Sequence, residues 1–198
     1  MSLFNFLENF IYFNKMLSMI RASFSLMDEI REIINSNYHM YEKILLIQED
    51  HNEHFVNEQW AEQNFPIREF YLARDNGEYV GMASYQNLGN FAYIGYFYIK
   101  FGFHRKGYGR RIMQFLEMKA KSEQLNEIRL FVNDSADWAE NAYKSMGFQE
   151  KSSNKTEILL MNQGILSKYY EEGQTLLVKT LSPLKPANLI NNSFSMEE

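Results

Sequence analysis

A segment of the chain combines glycines and bases at a spacing that suits a phosphate group. Residues 103–111 read FHRKGYGRR and follow a run of apolar and aromatic residues. Gly107 and Gly109 carry no side chain, so backbone N–H groups there can lie close to an anion. A helix that begins at this point adds partial positive charge, and the surrounding Lys and Arg side chains add whole charges. The segment is therefore predicted to bind a pyrophosphate with a further phosphate nearby.

Two other glycine motifs do not fit this segment. A dinucleotide-binding turn needs three glycines and a strand early in a βαβ unit. A Walker phosphate loop ends in Gly-Lys followed by Ser or Thr, whereas Gly109 is followed by Arg110 and Arg111. Two glycines among bases are by themselves a general anion-binding feature, so the neighbouring elements must identify the ligand.

Charge is distributed unevenly along the chain. The 198 residues include 20 Lys+Arg and 25 Asp+Glu, for a net charge of -5, and this mild acidity argues against a dedicated nucleic-acid-binding protein. Residues 38–63 hold six acids and one base, whereas residues 100–121 hold seven bases and one acid. A charge run is also typical of a solvated helix face, so the acidic stretch alone does not define a site.

The composition excludes several classes of site. With 45% hydrophobic residues, a chain of this length is predicted to form a soluble globular domain with appendages. The absence of Cys excludes a disulfide scaffold, thiolate catalysis and Cys-ligated zinc. His51 and His54 share a helical face, but no third ligand stands at a defined spacing from them. We therefore expect no metal site.

Both ends of the chain are predicted to lie outside the domain. Residues 1–15 are apolar, but they hold no base before Lys15 and are too few to span a bilayer. We interpret them as an extension that packs on the domain or on a partner chain, and we expect no membrane association. The domain is expected to span residues 16–181. The tail, residues 182–198, contains prolines and polar residues and is expected to be flexible.

Hydrophobic periodicity and turn residues predict the elements that position the basic segment. Residues 17–22 are predicted to form a first strand. Ser25 with Asp28 is a helix-start pattern that precedes a helical stripe. Asp50 with Glu53 repeats this pattern before a second helix that must end near Pro66.

The remaining elements complete an α/β pattern. Asp75-Asn76-Gly77 predicts a tight turn between two antiparallel strands. Residues 92–101 are almost all apolar or aromatic and are predicted to form one central strand, covered on both faces. A helix at 107–122, a strand at 126–132, a helix at 136–146 that stops at Gly147, and a strand at 175–181 follow. This order predicts an α/β protein built on a mixed sheet.

A second segment identifies the family that the basic segment resembles. Residues 132–148 read VNDSADWAENAYKSMGF, and with FYIKFGFHRKGYGRR they resemble the GCN5-related N-acetyltransferase (GNAT) superfamily. The first stretch is similar to that family's acyl-CoA signature, a strand followed by an Arg/Gln-x-x-Gly-x-Gly/Ala turn. The second is similar to its later motif, a helical Tyr just before Gly-Phe. The resemblance covers residues 17–181 and implies a mostly antiparallel central sheet flanked by helices, with acetyl-CoA as acyl donor.

The resemblance implies roles for individual residues. The backbone of Phe97, Tyr98 and Ile99 would bond the pantetheine arm of acetyl-CoA like an added strand. Tyr143 would be the general acid that gives its proton to the departing CoA thiolate, with a purely packing role as the alternative. The expected cofactor-binding residues also include the turn that would cradle the pyrophosphate and one residue of the later helix: His104, Arg105, Lys106, Gly107, Tyr108, Gly109, Arg110 and Ala139.

Three positions depart from the family pattern. His104 stands where the signature has Arg or Gln, and Ala136 replaces an Asn that often contacts the cofactor arm. Gly95 and Tyr96 occupy the place where some members carry a glutamate general base, so no base is evident on the central strand. The amine proton would leave through ordered water or through a residue that the fold brings near. Four such residues stay open as candidates: Glu49, Glu53, His51 and Tyr85.

The predicted activity is acetyl transfer from acetyl-CoA to a primary amine. Because no Cys and no evident Ser-His pair is present, the amine would attack the thioester directly in a ternary complex. In this family the acceptor usually crosses the helical pair after the first strand. That pair is acidic and aromatic here, which favours a small cationic amine such as a polyamine, an aminoglycoside or an amino-acid derivative.

Two other functions stay open on the sequence. A peptide or protein amine is the rival acceptor, since it too is cationic. A non-catalytic sensor or interaction module that binds acetyl-CoA is the rival to an enzyme. We expect a cytoplasmic protein whose partner is a small-molecule amine, with no nucleic acid and no membrane, and a homodimer stays open.

Overall fold

The computed structural model describes residues 17–40 and 56–182 and the backbone of residues 196 and 197. The predicted N-terminal extension and most of the predicted tail lie outside the described residues. Residues 41–55, which hold much of the acidic stretch, also lie outside them.

A single mixed sheet forms the centre of the fold. It consists of β1 (Ser18–Arg21), β2 (Glu69–Asp75), β3 (Glu78–Asn87), β4 (Ala92–Ile94), β5 (Phe97–Ile99), β6 (Glu127–Asn133), β7 (Gln149–Ser152), β8 (Gln174–Thr180) and β9 (Met196–Glu197). The strand order is β7-β8-β6-β4-β3-β2-β1-β9, and β5 pairs with β3. Only the pairs β4–β6 and β1–β9 are parallel among the described strands. The predicted α/β fold with a mostly antiparallel sheet is thereby confirmed.

Helices cover both faces of this sheet. They are α1 (Met27–Asn35), α2 (Glu58–Asn64), α3 (Tyr108–Ser122), α4 (Asp137–Ser145) and α5 (Lys155–Leu160). The periodic pattern of the sequence predicts α3 and α4 within one or two residues, whereas it does not predict α5.

Two apolar clusters hold the helices on the sheet. Ile112 and Leu116 of α3 are fully buried against one face. Ile30 and Ile33 of α1, together with Ala61 of α2, are buried against the other face. Each buried Leu or Ile side chain contributes about 1.5–3 kcal/mol to the free energy of unfolding. Both helical layers are therefore fixed relative to the central strands.

The predicted central strand is broken, and this part of the prediction is wrong. Gly95 and Tyr96 separate β4 from β5. β4 pairs with both β3 and β6, whereas β5 pairs with β3 alone among the described strands. The residues of β5 are consequently half-buried rather than covered on both faces. The apolar run could not reveal the break, because the break depends on which residues pair with β6, a strand that lies far along the sequence.

Local turn chemistry was predicted better than helix capping. Asn76 and Gly77 have φ angles of 52° and 86°, which confirms the tight turn between β2 and β3. The prediction that Ser25 caps the first helix is wrong. A short 3-10 turn precedes α1, and the Ser25 hydroxyl instead shares a hydrogen bond of 2.8 Å with the Ser23 hydroxyl.

Candidate active site

The sheet opens between β5 and β6, and this opening exposes one edge of β5. The amide of Ser84 on β3 donates to the carbonyl oxygen of Tyr96. Hydrogen bonding alternates with a two-residue period along an antiparallel pair, so the backbone of Tyr98 also faces β3. Phe97 and Ile99 therefore turn their N–H and C=O groups to the free edge. Backbone hydrogen bonds to a pantetheine arm were expected from Phe97, Tyr98 and Ile99. The backbone of Phe97 and Ile99 is available for them, whereas that of Tyr98 is turned to β3.

Asn37, just after α1, fixes the far end of this edge. Its side chain is buried, and its Nδ2 donates to the carbonyl oxygens of Ile33 and Ile99, each at 2.9 Å. The amide and carbonyl of Phe97 and the amide of Ile99 remain available on the edge. An extended ligand chain can pair with these groups as an added strand does.

The turn before α3 presents a row of backbone amides. Arg105 and Gly107 have φ angles of 62° and 83°, and such left-handed residues in a turn direct successive N–H groups to one side. No amide from residue 105 to residue 110 donates to an acceptor within the described residues. A Cβ built on Gly107 would meet no heavy atom within 4 Å. Unpartnered donors and open space together fit a pyrophosphate group at a helix N-terminus.

Several side chains of this turn contact other groups of the protein, so that they do not occupy the space in front of the backbone amides. Lys106 Nζ lies 4.7 Å from the ring centroid of Phe103, and Nη2 of Arg110 donates to the backbone carbonyl of Ser145 at 3.1 Å. The Tyr108 hydroxyl donates to Asp75 at 2.6 Å. This hydrogen bond raises the pKa of Tyr108. The turn therefore offers its backbone to an anion while its bases supply charge around it.

Tyr143 on α4 lies beside the free edge of β5. Its ring centroid is 6.0 Å from that of Phe97 and 5.7 Å from that of Phe148. Phe97 also packs near the start of α3, since a Cβ on Gly109 would lie 3.7 Å from Phe97 Cε1. Ala139 packs against the same core, one turn before Tyr143. The strand edge, the amide row and Tyr143 are therefore held together around one residue, Phe97.

Arg68 occupies the space over Gly95, at the point where the sheet opens. A Cβ added to Gly95 would collide with Nη1 of Arg68. The guanidinium Cζ lies 4.9 Å from the ring centroid of Tyr96 and 5.8 Å from that of Tyr169. No hydrogen bond or ion pair joins this guanidinium to residues 17–40 or 56–182, and its Nε is buried. A positive charge thus occupies the position where the family pattern would allow a glutamate.

Arg68 also lines a cavity of about 740 Å³. Gln86 and Tyr169 line the same cavity, and Nε2 of Gln86 donates to the Tyr169 hydroxyl at 2.8 Å. Oε1 of Gln86 is buried without a donor. Tyr93 stacks on Tyr169 with centroids 4.5 Å apart, and burial raises the pKa of Tyr93 so that its hydroxyl stays protonated.

A family model described as Acetyltransferase (GNAT) family matches residues 27–148. This match covers more than half of the chain and contains both sequence motifs. The protein belongs to the GNAT acetyltransferase family. The expected family, and with it the assignment as an acetyltransferase enzyme, are confirmed. A search of curated protein sequences finds no match.

Solved GNAT structures share the fold of this chain at low sequence identity. A GNAT-family acetyltransferase from Staphylococcus aureus Mu50 is 17% identical, with a TM-score of 0.62 over 84% of this chain and 99% of that one. The ribosomal-protein-S18-alanine N-acetyltransferase from Escherichia coli is 15% identical, with a TM-score of 0.62 over 89% and 100%. A GNAT-family acetyltransferase from Elizabethkingia anophelis, solved with acetyl-CoA bound, is 19% identical, with a TM-score of 0.50 over 63% and 84%.

Among the four candidate bases, Tyr85 is the one within the described residues of this GNAT protein; Glu49, His51 and Glu53 lie outside them. The Tyr85 hydroxyl donates to Glu123 at 2.7 Å. Burial, together with this hydrogen bond, raises the pKa of Tyr85. Its neighbour Ser84 faces Gly95, so Tyr85 points to the opposite face of the sheet. Tyr85 lines the cavity with Arg68, but it keeps its proton and is therefore unsuited to act as the base.

The described parts of the chain show neither a metal site nor a membrane-spanning helix. Within them, no group of three His, Asp or Glu side chains could hold a metal ion. Nor is any helix found there long and apolar enough to cross a membrane. His51 and His54, which share a predicted helical face, lie outside these parts.

Three residues that line the cavity over Gly95 were not predicted from the sequence. Arg68, Gln86 and Tyr169 come from three distant segments, and no local motif marks them. One signal was present, because a glycine within a strand pattern often marks the close approach of another group. Gly95 is such a glycine, but the sequence does not reveal which side chain approaches it.

Proposed function

We propose that this GNAT protein transfers the acetyl group of acetyl-CoA to a primary amine by direct attack. The observation that carries the proposal is the common contact of Phe97 with Tyr143 and with the start of α3. It brings a strand edge suited to a pantetheine arm, an amide row suited to a pyrophosphate and a hydroxyl proton into one site. The E. anophelis relative with acetyl-CoA bound supports the same donor.

The protein's own groups divide the reaction between them. Phe97 and Ile99 hold the arm by backbone hydrogen bonds, and the amides of residues 105–110 hold the phosphates. The acceptor ammonium first gives a proton to water, and its nitrogen then bonds to the carbonyl carbon of the acetyl group while the carbon–sulfur bond breaks. Tyr143 gives its hydroxyl proton to the leaving sulfur and regains one as the new amide nitrogen loses its extra proton. A positioned acid of this kind contributes about 10²–10⁴-fold in rate.

The proposed acceptor is a small amine, and the sequence favours a cationic one. That preference rests on the acidic and aromatic stretch at residues 38–63, much of which lies outside the described residues. A cavity of about 740 Å³ beside the opening supports a small molecule over a long peptide, because small-molecule sites measure about 300–1,000 Å³.

Binding of the donor can be tested by thermal unfolding of the full chain. Acetyl-CoA at about 100-fold over its dissociation constant stabilises a protein that binds it by about 2.7 kcal/mol. In a chain of this size, that corresponds to a rise in Tm of roughly 5–10 °C. A Tm that does not change with acetyl-CoA would contradict the proposed donor site.

Catalysis is tested separately, by release of free CoA thiol with a panel of amines. Thiol release that depends on both acetyl-CoA and an amine supports the enzyme. Binding without release by any amine would favour the alternative, a non-catalytic acetyl-CoA sensor. Peptides belong in the same panel, since peptide acetylation faster than that of every small amine would favour a protein acceptor.

A further inference from the structure

Arg68 is a half-buried cation beside Gly95, and no acid within the described residues pairs with it. Its guanidinium lies over the ring of Tyr96, at 4.9 Å from the centroid, and 5.8 Å from the ring centroid of Tyr169. None of the ion pairs of the described residues includes it, although most of the other half-buried cations are paired. Lys119, for example, pairs with both Glu69 and Glu123. A partly desolvated charge is costly unless it is paired, so an unpaired guanidinium here points to a missing anion.

The surroundings hold this guanidinium in one orientation. Tyr96 is fixed by Trp60, whose Nε1 donates to the Tyr96 hydroxyl at 3.0 Å. Tyr169 is fixed by the hydrogen bond from Gln86 and by stacking on Tyr93. An Arg clamped between aromatic faces keeps its N–H donors in a plane suited to a carboxylate. The Arg68 guanidinium is therefore held in place by its neighbours, as in a binding site, unlike a mobile side chain on the surface.

The electrostatics of the cavity agree with an anionic group. Of the described residues that line it, Arg21, Arg68 and Lys168 are basic and Glu69 alone is acidic. Glu69 already pairs with Arg21 at 3.3 Å and with Lys119 at 3.1 Å. Among the described residues, Arg68 and Lys168 therefore keep their charge available to a ligand.

From these contacts we infer that the acceptor is a small amine that also carries a carboxylate, as an amino acid does, and that Arg68 binds that carboxylate. This inference rests on the proposed acetyl transfer to an amine and names the class of acceptor. It favours the amino-acid derivative over the polyamine and the aminoglycoside. A cation beside the amine also lowers the pKa of the ammonium group, which eases its deprotonation in a site where Gly95 replaces a carboxylate base.

The test compares matched acceptors on the full-length protein with acetyl-CoA. The panel contains the protein amino acids, β-alanine and γ-aminobutyrate, each beside its own carboxamide, together with spermidine. Rates are divided by the fraction of free amine at the assay pH. We expect at least one acid to exceed its carboxamide by about 10- to 100-fold in kcat/KM, the effect of a hydrogen-bonded charge pair. Acids that react no faster than their carboxamides would overturn the inference.

Two variants assign this preference to Arg68. Arg68→Met keeps an apolar stem beside the two rings, and it should reduce the acid-to-carboxamide ratio of kcat/KM from about 10- to 100-fold to about 1. Arg68→Lys should retain part of the preference because it keeps the charge. Arg31→Met is the matched control: Arg31 also has a buried, unbonded Nε, but it pairs with Asp28 on α1. An equal loss on both acceptors of a pair would make Arg68 a structural residue and contradict the inference.

A binding measurement separates this inference from the proposed function. Calorimetry in the presence of CoA compares N-acetylated amino acids with the corresponding N-acetylated carboxamides. If acetyl-CoA binds but no amine releases thiol, the proposed function fails. Tighter binding of the acids, lost in Arg68→Met, would still support the carboxylate site. Equal binding of acids and carboxamides would overturn it.

Discussion

The two sides of the opening are built in different ways. The side that we propose for the cofactor consists of the β5 edge and the turn at residues 103–110, which are almost continuous in sequence. The side that we propose for the acceptor consists of Arg68, Gln86, Gly95 and Tyr169, which come from four separate segments. Backbone groups dominate the first side and side chains the second. A backbone site needs particular local geometry and leaves a motif, whereas a side-chain site leaves almost none.

The largest expected effect concerns Tyr143, which lies beside the cofactor side. Tyr143→Phe keeps the ring packing against Phe97 and Phe148 but removes the proton donor. We expect kcat to fall by about 10²–10⁴-fold, measured by thiol release with a saturating acceptor. The dissociation constant of acetyl-CoA, measured by calorimetry, should stay the same. A variant as fast as the parent would reduce Tyr143 to a packing aromatic.

A substitution at Gly107 should weaken the binding of acetyl-CoA. Gly107→Ala adds a methyl group to the open space that the phosphates would occupy, and we expect acetyl-CoA to bind about 10- to 100-fold more weakly, since hydrogen bonds to a charged group are lost. Gly77→Ala is the matched control. Both glycines have positive φ, 83° and 86°, and neither has a neighbour within 4 Å of an added Cβ.

Both variants should lose about 1–2 kcal/mol of stability from the left-handed backbone. Only Gly107→Ala should bind acetyl-CoA more weakly, as measured by calorimetry at a temperature where both variants are folded. A similar weakening in Gly77→Ala would mean that backbone strain, not the phosphate site, causes the effect.

A substitution at Gly95 should weaken the binding of the acceptor. Gly95→Ala pushes the guanidinium of Arg68 away, because the new Cβ collides with its Nη1 and lies 3.3 Å from both Ser84 Oγ and Tyr93 Cε1. We expect KM for a carboxylate-bearing acceptor to rise about 10-fold, the lower end of the effect of a charged hydrogen bond. The affinity for acetyl-CoA should not change. If it weakens as much as in Gly107→Ala, the two sides of the opening are not separable.

The smallest expected effect concerns Glu123 at the end of α3, which accepts hydrogen bonds from two side chains of β3. Burial alone would raise the pKa of Glu123, but hydrogen bonds from Lys119 and Tyr85 outweigh it and lower that pKa below its ordinary value of 4.5. A carboxyl with a lowered pKa stabilises the fold above the ordinary pKa, and this contribution is lost as the pH falls through the folded pKa.

Glu123→Gln should therefore reduce the free energy of unfolding by about 1 kcal/mol at pH 7 and by less at pH 3. Urea unfolding at the two pH values measures this difference. Acetyl transfer at pH 7 should change little, since Glu123 does not itself line the cavity beside Arg68, although Tyr85 and Asn87, which donate hydrogen bonds to it, do. A loss that is equal at both pH values would show that packing, not charge, accounts for the effect.

Features set by neighbouring residues were predicted from the sequence. The Asn76-Gly77 turn, the start of α3 after Gly107 and the end of α4 at Gly147 each follow from a local backbone requirement. The break between β4 and β5 could not be predicted, because it depends on where β6 stops pairing. Arg68 could not be predicted either, since its role arises when the residue before β2 is brought near the β4–β5 break by the pairing of all three strands with β3. The acidic stretch predicts a cationic acceptor, and this stays a prediction because most of the stretch lies outside the described residues; within them, the charge beside Gly95 belongs to Arg68.

The hydrogen bond from Asn37 to the carbonyl oxygen of Ile99 protects the edge of β5 against aggregation. An unpaired strand edge is a template on which a strand of another molecule can add, and so it favours aggregation. The free edge of β5 is only three residues long, and Asn37 occupies its last carbonyl oxygen at 2.9 Å. Too few groups remain for a second protein strand to pair stably. The edge can thus stay open to a narrow ligand arm without recruiting another copy of the chain.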